Sequence, residues 1–281
     1  MQRELAQPAA VRPRYGRVLV TMARNSLVRA MTFRTNFLLE TVTSLSWVCM
    51  NLAFFKLVFQ FRQSIGSGWG EYQYYVFIAT FQMINSLVEA LFMPNMEEFS
   101  DLVQTGNLDF ALLKPIDAQF IISFTKFEWS ALSNFCLAFG VLCYSLFHLD
   151  YMPGLVEFVL YPVYVICGVA ILYSLMIVLA AASVWLGRNQ SIYDFWFYIT
   201  NFSRFPMEIY SGRWGTPLQL AFTFVIPIMV VVNVPARFLA KPLHPEEWRL
   251  AVFAVFATVL SLLVSRWIFK RALENYRSTS S

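Results

Sequence analysis

Apolar runs of membrane-crossing length follow one another along this chain with only short connectors between them. A helix needs about 20 apolar residues to cross the roughly 30 Å hydrocarbon core of a bilayer. Runs at 36–60, 72–93, 119–147, 154–186, 192–206, 218–235 and 248–269 reach or approach that length. In lipid the backbone must satisfy its own polar groups, and long runs without strict alternation do so as helices. The chain reads as an all-α integral membrane protein, a single transmembrane domain over residues 1–281. Its charged fraction, 14%, is well below the roughly 25% of soluble domains. No stretch remains for a soluble catalytic domain.

Charge placement orients the runs. Arg3, Arg12, Arg14, Arg17, Arg24, Arg29 and Arg34 all precede the first run, which by the positive-inside rule puts the N-terminus in the cytoplasm. The first 35 residues contain no apolar signal-peptide core. Within this segment, from Tyr15 onward, Tyr15, Val18, Leu19, Met22 and Ala23 share one side of a helical wheel, opposite Arg14, Arg17 and Arg24. Such a basic amphipathic helix lies in the cytoplasmic interface, against lipid or against a protein.

If all seven runs crossed, the basic tail with Lys270, Arg271 and Arg277 would lie outside. The run 218–235 is therefore expected to re-enter rather than cross. It contains Pro227, ends in Val234-Pro235 and follows interruptions at Pro206 and 212–217; broken helices of this kind are tolerated when buried against protein. The charge rule is not fully met either way, since Arg237, Lys241 and Arg249 then lie outside. The expected order is spans 1 and 2 over 36–93, a cytoplasmic loop over 94–118, spans 3 and 4 over 119–186, span 5 with the re-entrant hairpin over 192–247, and span 6 with the basic tail over 248–281. The fourth run is about 50 Å long as a helix, so it must tilt, kink or project into water.

The longest polar island, 94–118, carries Glu97, Glu98, Asp101, Asp109 and Asp117 against the single lysine Lys114. Phe99, Leu102, Val103, Leu108, Leu112 and Leu113 have the spacing of a short amphipathic helix, a break at Gly106 and a second helical turn. Its charges exclude it from lipid, and its apolar face needs a protein or headgroup surface to cover it. Polar residues also punctuate the first two spans: Asn36, Glu40, Thr43, Ser44 and Asn51, then Gln82, Asn85, Ser86 and Glu89. Such stripes face another helix, a subunit or a wet cavity.

Several chemistries have no support in the sequence. There is no G-x-x-x-x-G-K-[ST] phosphate loop, no H-E-x-x-H and no G-x-S-x-G elbow. The two histidines include His148, beside an external turn, which reads as an ordinary surface residue. Cys49, Cys136, Cys143 and Cys167 lie in apolar runs without CxxC spacing and read as small buried hydrophobes. No metal site, no bound cofactor and no enzymatic activity are expected of the chain itself, and nothing points to nucleic acid.

The organisation resembles the permease subunit of type-two ATP-binding-cassette exporters, with an ABCG-like architecture. The local wording is similar to the uncharacterised-permease branch of that superfamily: Gly106-Asn107-Leu108-Asp109-Phe110-Ala111-Leu112-Leu113-Lys114-Pro115, then Phe205-Pro206-Met207-Glu208-Ile209-Tyr210, Ile226-Pro227 and Val234-Pro235-Ala236. The resemblance covers essentially the whole chain. It implies a half-transporter in the bacterial inner membrane that pairs with a second copy or a sister permease. ATP and magnesium would be bound by separately encoded ATPase subunits. It also implies that the island is the coupling helix, with Glu97, Glu98, Phe99, Asp101, Leu102, Val103, Gly106, Leu108, Asp109, Leu112, Lys114 and Pro115 meeting the ATPase; Phe99, Leu102, Val103 and Leu108 would fill its groove. Gln82, Asn85 and Glu89 on the second span, with Asp194, Tyr198 and Asn201 on the fifth, become candidates for the translocation surface. A non-transporting scaffold or mechanotransmitter shares the same loop and stays open, as does a secondary transporter, although no inverted repeat is visible.

Overall fold

The computed structural model describes residues 14–65, 68–186, 190–242 and 245–276, and of 186, 190–195 and 245–247 the backbone alone. The described residues are helical apart from connectors and one isolated bridge, Ile65 to Trp69. Helix α1, Tyr15–Thr32, turns at Phe33 into α2, Arg34–Phe61. The wheel holds for four of its five apolar members: Val18, Leu19, Met22 and Ala23 are half-buried, while Tyr15 is exposed, as are Arg14, Arg17 and Arg24. This face rests on protein. Tyr15 packs edge-on against Phe120 at 4.9 Å, and Ser26 Oγ accepts a hydrogen bond from the Phe127 amide at 3.1 Å.

Helix α3, Glu71–Leu91, starts where the Gly70 amide donates to Gln73 Oε1. A bend of 41° leads into α4, Met93–Thr105. The short helices α5, Leu108–Leu112, and α6, Ala118–Phe124, follow, then α7, Ala131–Phe147. The expected third span, 119–147, is thus divided at 125–130, where Lys126 and Glu128 leave the helix and find partners elsewhere. The Lys126 amide donates to Asn95 Oδ1, Asn95 Nδ2 donates back to the Lys126 carbonyl, and the Glu128 amide donates to the Ala90 carbonyl. These bonds satisfy the backbone that the break exposes. Helix α7 alone, 17 residues, is about 25 Å long.

Helix α8, Leu155–Leu186, is the longest in the fold and runs unbroken through Pro162. It packs along α11, Ile228–Ala240, and α12, Pro245–Asn275, while α3 packs along α7 and α11. Gly168 permits close packing of α8 on α11 and α3, since a Cβ there would stand 2.9 Å from the Val231 carbonyl oxygen and 3.1 Å from Ile84 Cδ1. Between α8 and α11 lie α9, Gln190–Asn201, short turns at Phe202–Arg204 and Met207–Tyr210, and α10, Gly215–Leu220. Helix α9 is 12 residues, about 18 Å. The expected fifth span, 192–206, is therefore not a helix of crossing length.

The expected proline break is present. Helix α10 and the π-helical turn Ala221–Val225 meet α11 at 88°. Ile226, at φ −116° and ψ 91°, is held extended by Pro227, as the residue before a proline prefers. Beyond the break α11 continues to Ala240, past the expected limit at 235, and nearly all its residues are buried. By length and composition, α2, α8 and α12 can cross a membrane, and α3–α4 and α10–α11 qualify as bent pairs. The cysteines depart from expectation: Cys49 and Cys136 are exposed, Cys143 and Cys167 half-buried. On a membrane helix the outer face is as apolar an environment as the core, so burial is not required of them.

Candidate functional site

The acidic island folds as the spacing predicts. Pro94 stands in the first turn of α4, and Gly106, at φ 73°, ends it in the left-handed region that only glycine enters without strain. What covers its apolar face differs from expectation. Phe99 and Leu108 are fully buried and Val103 nearly so. Phe99 packs on Phe269 of α12 at 5.8 Å, and α4 also packs on α8. These three side chains are occupied within the chain and cannot fill a groove on another protein. Leu102 is half-buried.

The outer surface of the island is made by other residues. Phe110 is 71% exposed and Leu113 80% exposed; Glu97, Asp101, Leu112, Lys114 and Pro115 are also exposed, with Glu98, Gly106 and Asp109 half-buried. A groove of about 310 Å³ opens between α4, α5 and α6, lined in part by Glu98, Leu102, Phe110 and Lys114. Lys126 pairs with Glu98 at 3.1 Å. Partial desolvation pushes the Glu97 carboxyl up, as does the neighbouring Asp101 charge, against a smaller opposing pull from Lys126.

A polar network ties this loop to the core. Asp117 caps α6 by accepting from the Phe120 amide at 3.1 Å, and it receives both terminal nitrogens of Arg266 on α12. Arg266 also donates to Gln119 Oε1 at 2.7 Å; Gln119 Nε2 in turn donates to Tyr173 Oη of α8 at 3.0 Å, and Ser123 Oγ lies 2.8 Å from the same hydroxyl. The Arg266 hydrogen bonds hold the Asp117 carboxyl below the usual carboxylate range, outweighing its burial. In the sequence Asp117 is only one acid of the island. An arginine near the end of the last apolar run is the signal that a partner has to exist.

The candidate translocation residues fall in different settings. Asn85 Nδ2 donates to the Phe81 carbonyl, and the Gln82 carbonyl accepts from Ser86 Oγ. Glu89 lines a cavity of about 530 Å³ together with Glu40, Thr43 and Ser44 of the α2 stripe. Asn51, the last of that stripe, instead bonds Arg204 between α9 and α10. One stripe thus serves both a contact with the turn after α9 and an open cleft. On α9, Tyr198 is exposed and Asn201 donates to the Phe197 carbonyl; the Asp194 side chain lies outside the described residues.

Two further polar sites support the turns between α9 and α11. Asn233, fully buried, accepts from the Met207 amide at 2.9 Å and donates to the Met229 carbonyl at 2.7 Å. Arg237 pairs with Glu208. Lys241 Nζ sits 4.2 Å from the centroid of the buried Trp69 ring. His148 stacks on Tyr72 and packs against Tyr144, and among the described residues no group of acids, histidines and cysteines is placed to hold a metal ion.

A family model described as ABC-2 family transporter protein matches residues 45–280. The chain belongs to the ABC-2 family of transporter proteins. No curated protein and no solved structure matches it. Membership makes the chain a permease subunit of an ABC transporter, a multi-pass membrane component that works with ATPase subunits. The matched region includes the whole of the acidic loop and every helix from α3 to α12.

Proposed function

We propose that this ABC-2 permease is one half of an exporter, pairing with a second copy or a sister permease and driven by ATPase subunits that dock on the 94–118 loop. The observation that carries the reading is the combination of outward apolar side chains and inward anchorage in that loop. Phe110 and Leu113 are exposed on a segment whose charges keep it in water, while Asp117, Gln119 and Phe99 fasten it to α8 and α12. A rigid attachment of this sort transmits displacement. A partner that grips Phe110, Leu113 and the groove beside Leu102 moves α8 and α12 with the loop, so nucleotide-driven closure biases the arrangement of the helices. Glu97, Glu98, Asp101 and Asp109 set orientation at the rim of the contact, where charge governs encounter and partner choice more than affinity.

In this reading the N-terminus and the loop are cytoplasmic, the membrane is the bacterial inner membrane, and the α10–α11 bend is an external re-entrant hairpin. The outer apolar faces of α2 and α12, including Trp47, Phe54, Phe256 and Trp267, meet lipid or the second permease. Gln82, Asn85 and Glu89 with Asp194, Tyr198 and Asn201 form the translocation surface once the second half completes it. ATP and magnesium belong to the partner.

The test is co-purification of the tagged chain in mild detergent, native against Phe110→Asp/Leu113→Asp, with ATPase activity assayed in each eluate. ATPase that arrives with the native chain and is lost with the double variant supports docking at this loop. ATPase retained by the variant at native level, or absent from the native eluate, contradicts it. Both substitutions replace exposed side chains, so loss of binding is not loss of fold.

A further inference from the structure

From Arg14 to Leu39 the chain carries five arginines and no acid. Arg29 lines a cavity with Glu40 and Glu128, which supply opposite charge beside it. Arg14, Arg17 and Arg24 are exposed and make no ion pair among the described residues. Their side of α1 therefore carries positive charge without an internal partner.

The half-buried side of α1 is already taken, by the edge-on contact of Tyr15 with Phe120 and the bond from the Phe127 amide to Ser26. A second apolar strip is left outside. Val20 is 68% exposed, Leu27 37% and Met31 47%; at about 100° per residue these positions lie within about 40° of one another around the helix. Arg17 and Arg24 stand seven residues apart and form the neighbouring strip, about 50° further round. The periodicity of the sequence marks the inner strip alone, because the outer one is interleaved with arginines.

The place of α1 decides what meets this double strip. The chain turns at Phe33 into α2, one of three described helices long and apolar enough to cross a membrane, so α1 ends at a bilayer surface. Its arginines keep it out of the hydrocarbon. A helix so placed lies with its apolar strip at the boundary between headgroups and acyl chains. Guanidinium groups beside that strip reach phosphate oxygens, which their planar fork binds two at a time. A zwitterionic headgroup balances its phosphate with its own cation, whereas an anionic one leaves a net charge for Arg17 and Arg24 to neutralise.

We propose that the outer face of α1 is a binding surface for anionic phospholipid, with Arg17 and Arg24 on the headgroup phosphates and Val20, Leu27 and Met31 against the upper acyl carbons. The surface requires only that α2 cross the bilayer, and it is independent of what docks on the 94–118 loop.

The test is native mass spectrometry of the full chain in detergent micelles, titrated with palmitoyl-oleoyl phosphatidylglycerol and, separately, with phosphatidylcholine of the same acyl chains. Phosphatidylglycerol adducts are expected to saturate at a concentration about tenfold or more below phosphatidylcholine. Arg17→Gln/Arg24→Gln is expected to weaken phosphatidylglycerol binding about tenfold or more and to leave phosphatidylcholine binding unchanged. Arg62→Gln/Arg213→Gln, which removes the same charge from exposed positions outside α1, is expected to bind both lipids as the native chain does. Equal binding of the two lipids by the native chain, or equal weakening by the two double variants, overturns the proposal. So does native phosphatidylglycerol binding by Arg17→Gln/Arg24→Gln, and a protein subunit lost from that variant alone would then assign the face to a protein. The comparison of the two lipids needs no variant to fold and no ATPase to be present.

Discussion

At the scale of single residues, paired polar side chains hold the segments between the helices in place. Asn233 satisfies the Met207 amide from across the fold. Asn233→Ala leaves that amide without a partner, and a loss of about 1–3 kcal/mol is expected, read as a lowered midpoint in thermal unfolding of the detergent-solubilised protein. Asp117 acts through its pair with Arg266. Because its carboxyl titrates below its ordinary value in the folded chain, the stabilisation it gives is complete above about pH 4. It is lost as pH falls further, through the folded value. Unfolding midpoints of native protein and Asp117→Asn are expected to differ by the same amount at pH 7 and pH 5 and to converge below about pH 4; since both side chains are over a third exposed, the difference is about 1 kcal/mol or less. Neither pairing was legible in the sequence. Asn233 and Met207 are 26 residues apart, and Asp117 and Arg266 are 149 apart, so local periodicity carries no trace of them. What could be read was that buried polar groups on apolar helices need partners.

At the scale of elements, breaks decide the architecture. The stop at Gly106 was legible because glycine between two apolar periodicities has few other meanings, and its positive φ bears this out. Gly106→Ala is expected to destabilise α4 by about 1 kcal/mol, measured as faster amide exchange in 101–112 than in the native chain. The bend before α11 was legible from Pro227 for the same kind of reason. The break at 125–130 was not. Its flanks are apolar enough to extend the third run, and only the bonds from Asn95, Ala90 and Ser26 show why the chain can leave a helix there. Gly168 is the counterpart in the core, since any side chain would meet the Val231 carbonyl. Gly168→Val is expected to cost about 1–3 kcal/mol and to lower the yield of monodisperse protein, whereas Gly140→Ala on α7, with open space around its Cα, is expected to leave both unchanged.

At the scale of the whole molecule, the sequence conveys a membrane protein with a water-exposed loop, and the structure shows which side of that loop faces out. Periodicity located the apolar face of α4 but not its cover, because a stripe buried on α12 and a stripe offered to a partner look the same in one dimension. Phe99 and Leu108 are inside; Phe110 and Leu113 are outside. The central claim is that this outer face meets the ATPase. It is tested most directly by placing the photoreactive residue p-benzoylphenylalanine singly at Phe110, at Leu113 and, as a control, at Phe61, the last residue of α2, in cells carrying the ATPase, and identifying the cross-linked product by mass spectrometry. Adducts to an ATPase subunit from positions 110 and 113 and none from 61 are expected. Adducts from 61, or none from 110 and 113 while the transporter is assembled, contradict the docking of the ATPase at this loop.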